Sequence, residues 1–188
     1  MRSRANMIFV AVAILLVITS TASADVCVWR DPERTMAKLF PTAVDYKTVT
    51  KKIKKDTAQK IEALAGVKLD DTERIEFNYY TITGKVGGKT HQVGTVLALA
   101  GAGDYGAIEV VIGLDNDEMI IGAYIQRMRE KNGSKLRSED FLGQFKTKTV
   151  KDPITIENDI KPVPEAKNAS QTITLAVKKM VAFYEVLN

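Results

Sequence analysis

The sequence predicts an α+β fold, in which an antiparallel β-meander packs against N-terminal helices and a C-terminal helix. Three observations lead to this prediction. Residues 25–66 show apolar spacing typical of helices, the middle of the chain alternates apolar and polar residues as strands do, and the last segment returns to a helical period. Because helices and strands occupy separate parts of the chain, an α+β architecture is favoured over an alternating α/β one.

The chain begins with features of a secretory signal peptide over residues 1–24. Arg2 and Arg4 precede an apolar run at 7–18, and Ala22-Ser23-Ala24 forms a small-residue cleavage site. We expect cleavage there and an exported, periplasmic or extracytoplasmic location. An uncleaved N-terminal membrane anchor is the alternative, because the run counted through residue 24 approaches the roughly 20 residues of a membrane-spanning helix.

The rest of the chain has the length of one domain. We predict an N-terminal helical segment at residues 25–66, followed by an α+β domain at residues 67–188. The net charge is +4, of which Arg2 and Arg4 carry two, so the remainder is only weakly basic and mixed in sign. This balance argues against a nucleic-acid partner.

Cys27 and His91 are the only cysteine and the only histidine. One cysteine excludes an intramolecular disulfide, and the pair is too small a set for a zinc-type metal site. Cys27 is interpreted as a free or buried thiol, with an intermolecular disulfide as the alternative in an oxidising compartment.

Two helices are predicted before the strands. Asp31-Pro32 is a typical helix start, and Met36, Leu39 and Phe40 share one side of the helix that follows. A second helix is predicted over residues 46–66, with Gly66 as its C-terminal stop and an apolar face at Val49, Ile53, Ile61 and Leu64. Its many lysines are most simply a solvated face; an anionic membrane or an acidic partner is the alternative.

Four strands are predicted in the middle of the chain, at residues 74–84, 91–101, 107–114 and 119–126. These segments alternate, are rich in β-branched and aromatic residues, and are separated by short turns that contain glycine or aspartate. The segment "DNDE" at residues 115–118 is interpreted as a hairpin turn because it lacks the spaced glycine and distal glutamate of a calcium loop. Strands joined in this way form an antiparallel meander.

A loop, a short helix and a long helix complete the chain. Residues 127–135 are predicted as a loop, and Ser138 as the cap of a short helix. The final helix is predicted from about Ser170 to Leu187, with a buried stripe of Ile173, Ala176, Val177, Met180, Val181 and Tyr184.

Three alternating hydroxyl groups lie where the final helix is predicted to begin, at Ser170, Thr172 and Thr174. The common role of such residues is to cap the helix by hydrogen bonds to its backbone, with Asn168 or Ser170 as the main cap. The alternative is a phosphate site, because a helix start presents free amides and a partial positive charge. A hydroxyl there can also be esterified by a phosphate.

Four segments resemble the FMN-binding domain family of exported flavoproteins, whose members include flavin-carrying subunits of the sodium-pumping NADH:quinone reductase and Rnf complexes. The segments are "CVWRDPERTMAKLFPTAVDYKTV", "VGTVLALAGAGDYGAIEVVIGLDNDEMIIG", "REKNGSKLRSEDFLGQFKTKT" and "ASQTITLAVKKM". Together they extend over most of residues 25–188.

The resemblance implies FMN linked through its phosphate to a threonine of a Ser-Gly-Ala-Thr-x-Thr/Ser motif. Its acceptor position falls on Thr172, between Ser170-Gln171 and Ile173, and Thr174 takes the closing hydroxyl position. Ala169 stands where the family has serine, and Gln171 where it has alanine.

The family's Glu-Thr-Pro-Gly segment falls on residues 130–133, where only Glu130 and Gly133 match. We include both in the candidate cofactor-binding set. Three tyrosines are further candidates for stacking on the flavin, although each is more simply a core or turn residue: Tyr79, Tyr80 and Tyr105.

The resulting hypothesis is an exported FMN-carrying electron-transfer protein, served by a flavin transferase and by redox partner proteins. The alternative is a flavin-free or reversibly FMN-binding subunit or scaffold of a redox assembly. A flavin-dependent enzyme with its own small-molecule substrate is less favoured, because the sequence offers no evident acid–base pair.

Overall fold

The structure is a computed structural model that describes residues 32–188. The predicted signal peptide, Cys27 and Asp31 lie outside the described residues. The helices are α1 (Glu33–Leu39), α2 (Lys55–Ala65), α3 (Gly133–Leu136), α4 (Glu139–Leu142) and α5 (Lys167–Leu187). The strands are β1 (Ala43–Lys52), β2 (Glu76–Val86), β3 (Lys89–Gly103), β4 (Gly106–Leu114) and β5 (Ile120–Arg127). Short 3-10 helices occupy Gly143–Phe145 and Pro164–Ala166.

The five strands form one antiparallel sheet in the order β1-β2-β3-β4-β5, so each strand pairs with its neighbours in sequence. This confirms the α+β prediction and the four predicted strands, which correspond to β2 through β5. The "DNDE" segment is a turn, as predicted: the Asp115 amide donates to the Met119 carbonyl at 3.0 Å, and Glu118 has a φ of 62°.

The helix predicted over residues 46–66 is wrong in its first part. The chain forms β1 up to Lys52, and α2 begins only at Lys55. Val49 and Ile53 are four residues apart, a spacing that fits one face of a helix and also one face of a strand. Thr48, Val49 and Thr50 are β-branched and favour the strand when β2 is available as a partner.

The second part of that helix is confirmed, and so is its stop. Gly66 has a φ of 68°, and its amide donates to the Glu62 carbonyl. A left-handed conformation of this kind favours glycine. Ile61 is buried as predicted, whereas Leu64 is 40% exposed and does not belong to the apolar face.

The main core lies between one face of the sheet and the two long helices, α2 and α5. The predicted stripe of α5 is confirmed, since all six of its residues are buried. Phe183 stacks on Phe77 of β2 with the ring centroids 4.3 Å apart. The Tyr184 and Thr95 hydroxyls lie 3.1 Å apart within hydrogen-bond distance, which ties α5 to β3. Since β1 and α2 share this sheet and core, residues 43–66 form one structural unit with residues 67–188.

Helix α1 covers part of the opposite face of the sheet. Met36, Leu39 and Phe40 are buried there, as predicted. Leu39 packs where Gly113 and Gly122 lack side chains: a Cβ at either glycine would lie 3.0 Å from a Leu39 methyl group. The two glycines therefore set how closely α1 approaches the sheet.

The segment after β5 begins with the helices α3 and α4. The short helix predicted from Ser138 corresponds to α4, but the Ser138 hydroxyl donates to the Lys135 carbonyl and does not cap that helix. The predicted loop at residues 127–135 contains the first part of α3.

Asp159 organises the long connection that precedes α5. Its carboxylate accepts hydrogen bonds from the amides of Ile154 and Thr155 and pairs with the Lys148 ammonium at 2.8 Å. Burial raises the pKa of Asp159, but the hydrogen bonds from Lys148 and Thr155 outweigh it, so the pKa lies below its ordinary value. The ionised carboxylate thus stabilises the connection.

Candidate functional site

The hairpin between β3 and β4 projects beyond the start of β2. Pairing of β2 with β3 ends at Tyr79 and Leu97, whereas pairing of β3 with β4 continues to Gly103 and Gly106. The turn at residues 104–105 is therefore carried on a two-stranded ribbon. Pairing of β4 with β5 begins only at Glu109, so we call the two-stranded ribbon and its turn, residues 101–108, the β3–β4 hairpin.

Thr172, the predicted attachment residue, lies on α5 where that helix crosses the β3–β4 hairpin. Its hydroxyl donates a hydrogen bond of 2.8 Å to the Ala102 carbonyl. A Cβ at Gly101 would lie 2.5 Å from the Thr172 methyl carbon, which is closer than real Cβ contacts come. The absence of a side chain at Gly101 thus allows α5 to lie against the hairpin with Thr172 half-buried at its edge.

The start of α5 differs from the prediction. The helix begins at Lys167 and no side chain caps it, so the predicted start near Ser170 and the capping roles of Asn168 and Ser170 are wrong. Thr172 is the sixth residue of the helix, about 7–8 Å along its axis from Lys167. The free amides and partial charge of a helix start are confined to the first turn, so they do not reach Thr172.

Ser170 and Asn168 instead connect α5 to its surroundings. The fully buried Ser170 hydroxyl accepts from the Val163 amide at 3.0 Å and donates to the Ala166 carbonyl at 2.9 Å. Asn168 donates its side-chain amide to the Asp104 carboxylate at 3.2 Å. Two separate positions of α5, Asn168 and Thr172, one turn apart, thus hold the β3–β4 hairpin.

The other predicted residues of the motif face different surroundings. Ile173 and Thr174 are buried in the core, and the Thr174 hydroxyl donates to the Ser170 carbonyl of the preceding turn. Gln171 is exposed to solvent. Among the hydroxyls of this motif, therefore, only that of Thr172 lies at the surface.

Glu130 reaches the same hairpin from the loop after β5. Its carboxylate accepts the Tyr105 amide at 3.2 Å, and it lies where a Cβ at Gly103 would be. Gly133, the other predicted residue of this loop, is the first residue of α3 and packs near Met128 and Arg137. The structure thus brings Glu130 and Thr172 to one hairpin, whereas the side chains nearest Gly133 are those of Met128 and Arg137.

Tyr105 is the exposed aromatic residue of this site. Its side chain is 48% exposed, and the Lys131 ammonium lies 5.1 Å from the ring centroid. The hydrogen bond with Tyr105, together with the electrostatic interaction between the two side chains, raises the pKa of Lys131 above its ordinary value. Tyr79 and Tyr80 are buried in the core, so Tyr105 is the one of the three predicted tyrosines with a ring at the candidate site.

An ion pair connects the loop after β5 to the segment before α5. The Lys135 ammonium lies 2.5 Å from the Glu165 carboxylate, and Asn132 donates to the Glu165 carbonyl at 2.9 Å. The hydrogen bond from Lys135 lowers the pKa of Glu165. A cavity of about 640 Å³ opens beside this pair, between Phe141, Gln144 and the prolines that precede α5, but Thr172 does not line it.

The surroundings of Thr172 combine a surface hydroxyl with an exposed aromatic ring and a nearby cation. Gly101 has no side chain to collide with Thr172, whereas the Glu130 carboxylate fills the space beside Gly103. Tyr105 offers an exposed ring, and Lys131 offers a positive charge. Sequence reasoning missed Gly101, Ala102, Asp104 and Lys131, and it assigned Asn168 a capping role instead of its hydrogen bond to Asp104. The alternation of Gly101 and Gly103 along one face of β3 was a usable signal, because such glycines often mark close approach of another segment.

Among residues 32–188, no helix is long and apolar enough to span a membrane. Over the same residues, no group of three or more histidine, cysteine or acidic side chains is placed to hold a metal ion.

Comparison with solved structures finds seven similar chains, two of which illustrate the extent of the likeness. The crystal structure of NqrC from Shewanella oneidensis aligns with 87% of this chain and 92% of its own, at 14% identity and a TM-score of 0.49. A Na(+)-translocating NADH-quinone reductase subunit from Parabacteroides distasonis aligns with 83% of this chain and 85% of its own, at 18% identity and a TM-score of 0.43. No protein-family model and no curated protein matches the sequence.

Proposed function

We propose that this protein is an exported electron-transfer flavoprotein that carries FMN through a phosphoester bond to Thr172. The observation that carries the proposal is the position of the Thr172 hydroxyl. It is the surface hydroxyl of the motif, and it lies against the glycine-rich β3–β4 hairpin, whereas Ser170 and Thr174 are buried. The sequence resemblance assigns the acceptor role to the same residue.

Bound FMN would supply one- or two-electron chemistry, so the chain itself needs only to hold and orient the cofactor. Thr172 provides the point of attachment, Gly101 gives the Thr172 side chain room against the hairpin, and Tyr105 offers a surface for stacking. Such an arrangement suits a carrier that accepts electrons from one redox partner protein and passes them to another.

The test is expression in an exporting host together with a flavin transferase, followed by flavin fluorescence on a denaturing gel. Wild type and Thr172→Ser are expected to fluoresce, because both retain the acceptor hydroxyl, although a transferase that requires threonine would label the serine variant less. Thr172→Ala is expected to lose fluorescence. Thr174→Val is the matched control: it removes a neighbouring buried hydroxyl from the same helix and should keep the label.

Fluorescence that survives in Thr172→Ala would refute the assignment of this residue. The intact mass of the exported protein reports flavin attachment and signal cleavage in one measurement, since cleavage before Asp25 removes residues 1–24.

A flavin-free or reversibly binding subunit of a redox assembly is the second candidate function. It is favoured by one observation: the Thr172 hydroxyl already donates to the Ala102 carbonyl, so the unmodified residue is satisfied without a cofactor. The absorbance spectrum of protein purified from its native compartment separates the candidates. A flavin spectrum that disappears when the protein is denatured and filtered indicates reversible binding. Native protein that shows no flavin spectrum indicates a flavin-free scaffold.

A further inference from the structure

Four lysines and one exposed isoleucine lie where β1 ends and α2 begins, at a corner of the sheet. Lys51 and Lys52 end β1, and Lys54 and Lys55 lead into α2. Between them, the Ile53 amide donates to the Ile75 carbonyl at 2.9 Å, which places Ile75 opposite the middle of this lysine run, whose strand members Lys51 and Lys52 point to opposite faces of the sheet. We call Lys51, Lys52, Lys54, Lys55 and Ile75 the lysine corner.

The ammonium groups of the lysine corner are available to an external partner. Lys52, Lys54 and Lys55 are exposed and Lys51 is half-buried. Within residues 32–188, the ion pairs use other cations, and these four have no carboxylate within 4.0 Å. The nearest acidic positions along these elements are Glu76, opposite Lys52 on β2, and Asp56 in the first turn of α2.

Positive charge is concentrated in this part of the chain. Residues 43–60 contain six lysines and two aspartates, a net charge of +4, which equals the net charge of all 188 residues. The rest of the chain is therefore neutral overall. Such a local field attracts an extended anionic surface, even though the protein as a whole is only weakly charged.

Ile75 distinguishes the lysine corner from a simple solvated face. It is 65% exposed, more than any other large hydrophobic side chain of the described residues. An aliphatic group flanked by lysines of the paired strand suits the boundary of a phospholipid membrane, where ammonium groups reach the headgroup phosphates and the aliphatic group enters the acyl region. Protein–protein interfaces, in contrast, are depleted in lysine and enriched in aromatic residues and arginine.

We propose that the lysine corner docks this domain on the surface of a membrane that contains anionic phospholipids. The corner lies at the end of the sheet from which the β3–β4 hairpin projects, because β3 runs antiparallel to β2 and continues past its first residue, Glu76. Docking would therefore orient this end of the sheet, which also carries Thr172, towards the bilayer.

The test uses the full chain with a tryptophan reporter at the corner. Trp29, the only tryptophan, is removed by Trp29→Phe, and Ile75→Trp then supplies a single emission signal. With vesicles of phosphatidylglycerol, the emission should shift to shorter wavelength and be quenched by brominated acyl chains. It should not change with phosphatidylcholine vesicles, even if residues 7–18 insert in both, and 1 M salt should reverse the shift because the Debye length is then about 3 Å.

The charge variant Lys51→Gln/Lys52→Gln/Lys54→Gln/Lys55→Gln should lower the partition coefficient by on the order of a few hundredfold, since each lysine near an anionic surface contributes about fivefold. The matched control replaces four exposed lysines elsewhere with glutamine, at positions 85, 89, 151 and 161, and should retain most of the binding. Urea midpoints confirm that both variants fold.

Three results would overturn the proposal. They are an equal response to both lipids, a control variant that loses as much binding as the charge variant, and a reporter that does not respond to anionic vesicles. The last result would point to an acidic protein as the partner of the lysine corner.

Discussion

Replacing Gly101 with alanine tests whether this glycine determines the position of Thr172. The new Cβ would lie 2.5 Å from the Thr172 methyl carbon, so one of the two must move. Rotating the threonine side chain would relieve the contact but remove its hydroxyl from the Ala102 carbonyl, a bond of 2.8 Å. Such a bond contributes about 1 kcal/mol, and shifting the helix instead costs about 1–3 kcal/mol, as overpacking does.

Alanine also has a favourable effect, because glycine within a strand is about 0.5–1 kcal/mol less favourable than alanine. The net expectation for Gly101→Ala is a loss of about 1–2 kcal/mol in the free energy of unfolding. In a Thr172→Ser background the methyl group is absent. The nearest remaining Thr172 atoms lie 3.7 and 3.9 Å from the new Cβ, which are ordinary contacts. There the same substitution should stabilise the protein by about 0.5–1 kcal/mol.

Equilibrium urea unfolding of the wild type, both single variants and the double variant measures this coupling. We expect a coupling energy of about 1–3 kcal/mol, within the range for residues in direct contact. Additivity within about 0.5 kcal/mol would refute the reasoning, because it would mean that the methyl group and the glycine do not constrain each other.

Three further substitutions test the elements that support the site. Ser170→Ala should cost about 1–2 kcal/mol of stability, because the Val163 amide loses its acceptor, and the urea midpoint measures this. Asp159→Asn should lower the free energy of unfolding by about 2 kcal/mol at neutral pH. Folding lowers the pKa of this carboxyl, so the difference in stability between wild type and variant is present above the ordinary pKa of 3.8 and is lost as the pH falls below it, which urea unfolding at several pH values measures. Arg127→Met should lower the free energy of unfolding by about 2–3 kcal/mol, because the fully buried Glu109 carboxylate loses the guanidinium that lies 3.9 Å away. Adding Glu109→Gln to this variant should restore much of the lost stability, as measured by urea unfolding.

Strands β2 through β5 were predictable from sequence because two local signals agree there, namely alternating residues and short turns. β1 was not predictable in the same way. Its lysines and the four-residue interval between Val49 and Ile53 fit a helix equally well. The segment forms a strand because β2 offers a free edge with which it can pair. Pairing with a strand more than 20 residues away is a tertiary effect that overrides a local pattern.

The candidate site likewise has a part that could be predicted from the sequence and a part that could not. Thr172 could be assigned from the resemblance of a short motif, but its surroundings could not. The carbonyl that accepts its hydrogen bond belongs to Ala102, which is 70 residues earlier in the chain. The start of α5 was misplaced because hydroxyl residues are good helix caps, whereas here the Ser170 hydroxyl bonds to the Val163 amide and the helix begins a turn earlier.

The actual start of α5 bears on how the protein could hold a flavin. Had Thr172 been in the first turn, free amides would have stabilised a phosphate there. In the structure it is the sixth residue of the helix, the Asp104 carboxylate lies on the hairpin that Thr172 contacts, and the Glu130 carboxylate reaches that hairpin from the loop after β5. Lys131 is the cation beside that hairpin, and its exposed charge is screened by salt. A site with this mixture of charges has little electrostatic affinity for a free phosphate, so under the proposed function the phosphoester bond, and not charge, would hold the FMN.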